Sequence, residues 1–116
     1  MATVQNVAPS AARTTSGNSG YLQTPPGSGL SVMVNVTAVS GTTPSMLLTV
    51  EWTNDGINFA SADPADTFTA ITTAVNKVAR FTQKGVGYRV VWTVTGTTPS
   101  LTFSITADTD GGGFTY

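Results

Sequence analysis

The residue types that perform most enzyme chemistry are scarce in this chain. It contains no His and no Cys, so it lacks the commonest general base, the thiolate nucleophile and the usual soft metal ligands. The remaining acids are few, and most lie in predicted turns, where Asp commonly caps the backbone. They are Glu51, Asp55, Asp63, Asp66, Asp108 and Asp110. We therefore predict a protein that is not an enzyme, with no catalytic residues, metal site, cofactor or small-molecule substrate.

The composition favours a structural or binding protein. Only 9% of the 116 residues are charged and the net charge is -1, so we expect neither nucleic acid nor a membrane as a partner. Thr, with 22 residues, takes the place of charge. A surface of Thr, Ser, Gly and Asn loses little side-chain entropy when another protein covers it. We infer that much of the surface is covered in the working state. The alternative is a solvated Thr-rich β domain with no partner.

The chain shows no targeting or membrane signal. No apolar run approaches the roughly 20 residues that a membrane-spanning helix needs. The first five residues, Met-Ala-Thr-Val-Gln, lack the basic and apolar regions of a signal peptide. We expect synthesis in a cytoplasm, followed by assembly or release without secretion.

The pentapeptide Gly-Thr-Thr-Pro-Ser occurs twice, at residues 41–45 and 96–100, which are 55 positions apart. Residues of alternating apolar character stand on both sides of each copy. The Gly and Pro residues predict a turn in each copy, so we expect two similar β-hairpins in an all-β domain of two related halves. The neutral hairpin tips are candidate partner contacts: Thr42, Thr43, Pro44, Thr97, Thr98 and Pro99.

Period-two alternation predicts strands before and after each repeat, over 30–39, 46–52, 88–95 and 101–107. Weaker strand signals lie within 67–75 and 78–83, and 60–66 is predicted to be a loop. In total we expect about seven or eight short strands and no helix. This pattern is typical of a single-domain β-sandwich of the jelly-roll or immunoglobulin-like type.

The two ends of the chain differ from its centre. We predict an N-terminal arm with a possible edge strand over 1–29, the sandwich domain over 30–108 and a Gly-rich C-terminal tail over 109–116. Either the segment is an arm that becomes ordered on a neighbouring subunit, or it contains a first edge strand of the domain over roughly 19–24; we favour an arm up to about residue 18 followed by a short edge strand. The ends contribute five further candidate partner contacts: Arg13, Tyr21, Leu22, Phe114 and Tyr116.

Three stretches resemble a known group of proteins. Val-Glu-Trp-Thr-Asn-Asp-Gly-Ile-Asn-Phe at 50–59, Arg-Phe at 80–81 and Tyr-Arg-Val-Val-Trp-Thr-Val-Thr-Gly at 88–96 look like parts of the small β-sandwich virion proteins of tailed bacteriophages. The resemblance covers roughly residues 30–107. It rests on hairpin turns and strand patterns, and similar stretches occur in capsid decoration proteins and in tail-associated proteins.

The resemblance implies a non-enzymatic virion structural protein. The first expectation is a decoration (minor capsid) protein on the capsid surface, a homo-oligomer, in particular a trimer, that binds and stabilises the major capsid protein lattice. The family's contact residues are not transferred, since no motif marks them. Two alternatives stay open: a tail-associated structural protein, and a carbohydrate-binding module on the virion surface that would use exposed aromatic rings.

Overall fold

The computed structural model describes residues 3–24 and 29–110. These residues form one antiparallel sheet of seven strands, and none of them is helical. No helix that could span a membrane is therefore found among them. The strands are β1 (Thr3–Arg13), β2 (Gly17–Asn18), β3 (Leu22–Gln23), β4 (Gly29–Thr53), β5 (Ala60–Thr67), β6 (Val75–Thr82) and β7 (Gly87–Asp110). The all-β prediction is confirmed.

Two very long strands organise the sheet. β4 and β7 pair along their whole lengths, from Gly29 opposite Asp110 to Thr53 opposite Gly87. The register of this ladder is irregular around residues 40–45 and 95–100, so the strands bend there. On one side of the bend lies layer 1, with strand order β1, β7 (100–110), β4 (29–40) and β6. On the other side lies layer 2, with β2 and β3, β7 (87–95), β4 (45–53) and β5.

The two layers pack face to face around one apolar core, as the predicted single-domain β-sandwich requires. Alternate residues of β4 and β7 point inward, and the core draws on both layers. Aromatic rings meet between the layers: Trp92 lies edge-on to Phe103 with 5.5 Å between ring centroids, and Phe68 to Phe81 with 5.9 Å. The buried core residues include Leu30, Val32, Val34, Val36, Met46, Leu48, Val50, Trp52, Tyr88, Val90, Leu101 and Ile105.

The two layers are related by an internal pseudo-two-fold axis. Adding 55 to the β1 residue, and subtracting 55 from its β7 partner, converts two pairs of layer 1 into pairs of layer 2, beyond which the two registers diverge. Thus the pairs Gln5–Ala107 and Asn6–Thr106 become Ala60–Trp52 and Ser61–Glu51. Thr42 and Thr97 pair with each other and exchange under this operation, so the axis passes between them. The two related halves expected from the repeat are therefore the two layers.

The two predicted hairpin turns are wrong. Residues 41–45 and 96–100 do not reverse the chain but lie within β4 and β7, where they pair with each other. Gly41 and Thr43 adopt positive φ in one copy, as do Gly96 and Thr98 in the other, which produces bulges in place of turns. Pro, which lacks an N–H group, is tolerated at such bulges.

The N-terminal segment also differs from the expected arm. Over Thr3–Arg13 it forms β1, which pairs with the end of β7 and places Val7 and Ala8 in the core. The short strands β2 and β3 then pair with the start of β7, at the edge of layer 2. The segment is ordered because it forms backbone hydrogen bonds with β7 of the same chain, whereas the prediction placed its partner on a neighbouring subunit.

Two smaller expectations also change. The predicted loop at 60–66 lies in β5, which pairs with β4 through a register shift that accommodates Pro64. The predicted strand at 67–75 is mostly a connection, although Ile71 bridges to Met46. At the C-terminus β7 extends to Asp110, and the rest of the expected tail lies outside the described residues.

The bend yields a test of the fold. A Cβ at Gly41 would lie 2.6 Å from the Thr98 carbonyl oxygen, and one at Gly96 would lie 2.8 Å from that of Thr43. Both glycines also have strongly positive φ, of 111° and 120°. We expect Gly41→Ala or Gly96→Ala to lower the free energy of unfolding by roughly 2–4 kcal/mol, measured by urea denaturation.

Gly20 is the matched control for this prediction. Its φ is also positive, at 82°, but nothing lies within 4 Å of a Cβ at this position. Gly20→Ala should therefore cost only the backbone strain, about 1 kcal/mol. Equal losses at Gly20 and Gly41 would contradict the close packing at the bend.

Candidate functional site

The two copies of the repeated pentapeptide form a single surface, which we call the repeat patch (residues 41–45 and 96–100). Thr42 of one copy lies opposite Thr97 of the other in the β4–β7 ladder. The side chains of Thr42, Thr43, Thr97 and Thr98 are exposed, and Pro44 and Pro99 are half-buried. The structure therefore brings together six predicted contact residues that the sequence placed on two separate tips.

Each copy is held in place by the other. Gly41 packs under the backbone of Thr98 and Pro99, and Gly96 packs under Thr43 and Pro44 in the equivalent way. The two bulges approach each other so closely that neither glycine position has room for a side chain, and Gly is the residue that permits this approach. The repeat patch is thus rigid and pseudo-symmetric.

Thr43 and Thr98 carry an unusual backbone conformation. Their φ angles are 48° and 45°, in the left-handed region that β-branched residues rarely adopt. Each hydroxyl group donates a hydrogen bond of 2.8 Å to the carbonyl oxygen of the preceding Thr. Strained backbone of this kind persists where surrounding structure enforces it, and it is concentrated at functional sites. Its presence at two equivalent positions makes the repeat patch the leading candidate for a binding surface.

Arg13 is committed to contacts inside the molecule. Its guanidinium donates to the carbonyl oxygens of Phe103 at 2.7 Å, Pro9 at 2.8 Å and Ala11 at 3.1 Å. It also lies against the rings of Phe103 and Trp92, 4.3 and 5.1 Å from their centroids. Partial burial lowers the pKa of the Arg13 guanidinium. This side chain, predicted as a partner contact on an arm, closes the β1 edge of the sandwich.

The remaining predicted contacts are divided between the surface and the core. Leu22 on β3 is half-buried and packs against the core. Tyr21 is exposed, with its ring edge-on to Phe59 at a centroid distance of 6.3 Å. Phe59 in turn lies 4.4 Å below the guanidinium of Arg89. Tyr21 is therefore the outermost member of a row of contacting side chains on layer 2, in which Phe59 lies between Tyr21 and Arg89. Phe114 and Tyr116 lie outside the described residues.

An open cleft of about 400 Å³ beside Trp52 was not predicted from the sequence. The Trp52 indole Nε1 donates to the Asp66 carboxylate at 2.8 Å, and Lys84 Nζ donates to both oxygens of the same carboxylate. Lys84 Nζ also lies 5.8 Å from the centroid of the Trp52 ring. The Asp66 carboxylate is thus used to join β5 to its neighbours. The lining comprises Trp52, Thr53, Asn54, Asp55, Asn58, Ala60, Ser61, Ala62 and Lys84.

Asp55, at the rim of this cleft, builds the loop between β4 and β5. Its carboxylate accepts hydrogen bonds from the backbone N–H groups of Ile57 and Asn58, from the Asn58 side chain and from the Thr53 hydroxyl. These bonds hold the pKa of the Asp55 carboxyl well below its usual range, with the Asn58 and Ile57 backbone N–H groups as the main causes. The turn role predicted for Asp residues holds at this position.

The described residues contain no group of three or more His, Cys, Asp or Glu side chains placed to hold a metal ion. Comparison of the chain with protein-family models, with curated proteins and with solved structures found no match. The resemblance to phage virion proteins therefore stays a prediction.

The position of Arg13 yields a prediction that separates a structural role from a partner contact. Arg13→Met retains the aliphatic part of the side chain but removes the hydrogen bonds and the ring contacts of the guanidinium. We expect the free energy of unfolding to fall by roughly 1.5–3 kcal/mol in urea denaturation. Arg13→Lys, which keeps the charge, should recover part of the loss. An unchanged unfolding midpoint in Arg13→Met would contradict the structural role.

The Asp55 loop predicts a specific dependence on pH. Because its pKa is lower in the folded than in the unfolded chain, the Asp55 carboxylate stabilises the fold at pH values above its unfolded pKa, about 3.9. That contribution is lost as the pH falls below this value towards the folded pKa. Asp55→Asn should therefore unfold at lower urea than the unmodified protein at pH 7, and the difference should narrow at pH 2. A difference that stays constant with pH would contradict the assignment.

Proposed function

We propose that this protein is a non-enzymatic virion structural protein of a tailed bacteriophage. In this proposal it is a decoration protein that binds the outside of the head and stabilises the lattice of the major capsid protein. The observation that carries the proposal is the repeat patch, in which two identical strained segments form one rigid surface. Such a surface loses little conformational freedom on binding, because its backbone is already held by the β4–β7 ladder and by the close packing of the two copies.

The distribution of charge supports a protein partner. Arg13 is held within the molecule by carbonyl groups, Lys84 by Asp66 at 2.9 Å and Arg89 by Glu51 at 2.7 Å. The repeat patch itself contains no charged residue. Binding through it would therefore depend on shape and hydrogen bonds more than on charge, which suits the ordered surface of a protein lattice.

The carbohydrate-binding alternative would use the cleft beside Trp52. Glycan-binding modules of the predicted type present an open aromatic face to the sugar ring. The Trp52 side chain is only 6% exposed, and its indole N–H is bonded to Asp66. The cleft therefore supports this function less well than the repeat patch supports protein binding. A tail-associated role would use the same patch on a different lattice.

A co-sedimentation experiment tests the proposal. The probe is a preparation of expanded heads, assembled from the major capsid protein of the same genome and lacking this protein. We expect saturable binding, and we expect Thr97→Arg to weaken it at least tenfold, because a charge without a partner would be buried at the centre of the contact.

Thr73→Arg serves as the control, since Thr73 is an exposed Thr in the connection between β5 and β6. Both variants should keep the unfolding midpoint of the unmodified protein. Failure of the unmodified protein to bind heads, together with binding to tail structures or to host cell-wall glycan, would overturn the decoration role. Equal weakening by both substitutions would overturn the assignment of the patch.

A further inference from the structure

The four outer edges of the two layers differ in their protection against pairing with another chain. β1 carries Pro9 and two register irregularities, and β5 carries a register shift around Pro64. β2 and β3 have only two residues each. Short strands, bulges, Pro and charged side chains, Lys above all, are the usual devices that prevent unwanted edge pairing.

β6 is neither short nor bulged, and its only devices of this kind are the charged residues Lys77 and Arg80. It runs for eight residues without Pro, and it pairs with β4 in unbroken register from Thr82 opposite Gly29 to Val75 opposite Val36. Among the described residues it pairs with β4 alone, so its other edge is open. An open, regular edge of this length is a template for another strand.

The outward face beside this edge is apolar. Val78 is 60% exposed and lies directly opposite Met33, which is 47% exposed, in the β4–β6 ladder. Two large apolar side chains thus stand together on the last two strands of layer 1. A strand added beside β6 would cover part of the Val78 side chain, which would stabilise the pairing at roughly 25 cal/mol per Å² of apolar surface.

We infer that β6 pairs antiparallel with β6 of a second copy of this chain, about a two-fold axis that passes through Val78. Residues that face each other across an antiparallel ladder share one face of the sheet. When two copies of β6 pair and extend the layer, each residue must therefore lie opposite a residue of the same face. This requires the two-fold axis to pass through a residue and not between two residues. The central choices for β6 are Lys77, Val78 and Ala79.

Charge and apolar contact select among these three registers. An axis at Lys77 would set Lys77 against Lys77 of the second copy, and like charges directly opposite are destabilising. An axis at Ala79 would set the exposed Val78 against Arg80 of the second copy. An axis at Val78 sets Val78 against Val78, with the Met33 side chains of the two copies on either side. Asn76 then faces Arg80, and Lys77 faces Ala79, so no two like charges are directly opposite.

The result is an isologous dimer in which layer 1 of each copy contributes four strands to one continuous eight-stranded layer. It differs from the trimer that the family resemblance implies. It does not rest on the proposed function, because β6 and the repeat patch are separate surfaces and the dimer forms without a capsid.

A cysteine cross-link tests this pairing directly, since the chain has no Cys of its own. Residues opposite each other in an antiparallel ladder have Cα atoms about 4.5–5.5 Å apart, within the range of a disulfide. We expect Val78→Cys to form a disulfide-linked dimer under mild oxidation. The control, Val4→Cys, is 70% exposed on β1 at the opposite edge of layer 1 and should remain uncross-linked.

Light scattering after gel filtration supplies the second measurement. The unmodified protein should have the mass of a dimer, and Val78→Lys the mass of a monomer that keeps the circular-dichroism spectrum of the folded protein. A monomeric unmodified protein at about 100 μM, or cross-linking of Val78→Cys no faster than that of Val4→Cys, would overturn the proposal. If the unmodified protein were a monomer and Val78→Lys lost head binding, the strand that pairs with β6 would belong to another protein, which would also overturn the proposal.

Discussion

The rest of the structure depends on the ladder between β4 and β7. Each of the other five strands attaches to one of these two, so no layer exists until residues 29–53 have found residues 87–110. The ladder closes a long loop, which makes its pairing an entropic cost that the apolar core must offset. The close approach of Gly41 and Gly96 to the opposite copy is what allows both strands to bend together and fold one sheet into two layers.

The symmetry of that bend does not extend to the core. Two outer pairs of layer 1, Gln5–Ala107 and Asn6–Thr106, correspond to pairs of layer 2, yet the position equivalent to Trp52 in layer 2 is Ala107 in layer 1. Tyr88 and Trp92 also belong to layer 2, so the large rings fill the sandwich mainly from one side. This asymmetry has a visible consequence, because the cleft beside Trp52 and the ion pair of Lys84 with Asp66 occur in layer 2 only. Packing, and not turn chemistry, therefore distinguishes the two halves.

The surface separates into regions with different chemistry. Several charges are bound inside the molecule, as with Arg13 under the β1 edge and Arg89 beside Glu51 and Phe59. The repeat patch is neutral and strained, whereas the edge at β6 is regular and borders the exposed pair Met33 and Val78. A rigid patch suits recognition of an ordered partner, and an open strand edge suits extension of the sheet. The two proposals made for this protein thus rest on independent features of one fold.

The class of fold and the inward faces of the main strands follow from the residue pattern alone. Alternation at 30–39, 46–52, 88–95 and 101–107 requires half-buried strands, and the 55-residue repeat requires related halves, whatever the chain pairs with. Only the tertiary structure decided that residues 41–45 and 96–100 are bulges, because Gly, Thr and Pro satisfy a turn and a bulge equally well in local terms. The choice is made by a partner segment 55 residues away. Arg13 illustrates the same limit: its carbonyl and aromatic neighbours include Phe103 and Trp92, and no local pattern brings β1 to the end of β7. The local sequence determines which side chains favour burial, whereas pairing between distant segments of the chain determines which residues cover them.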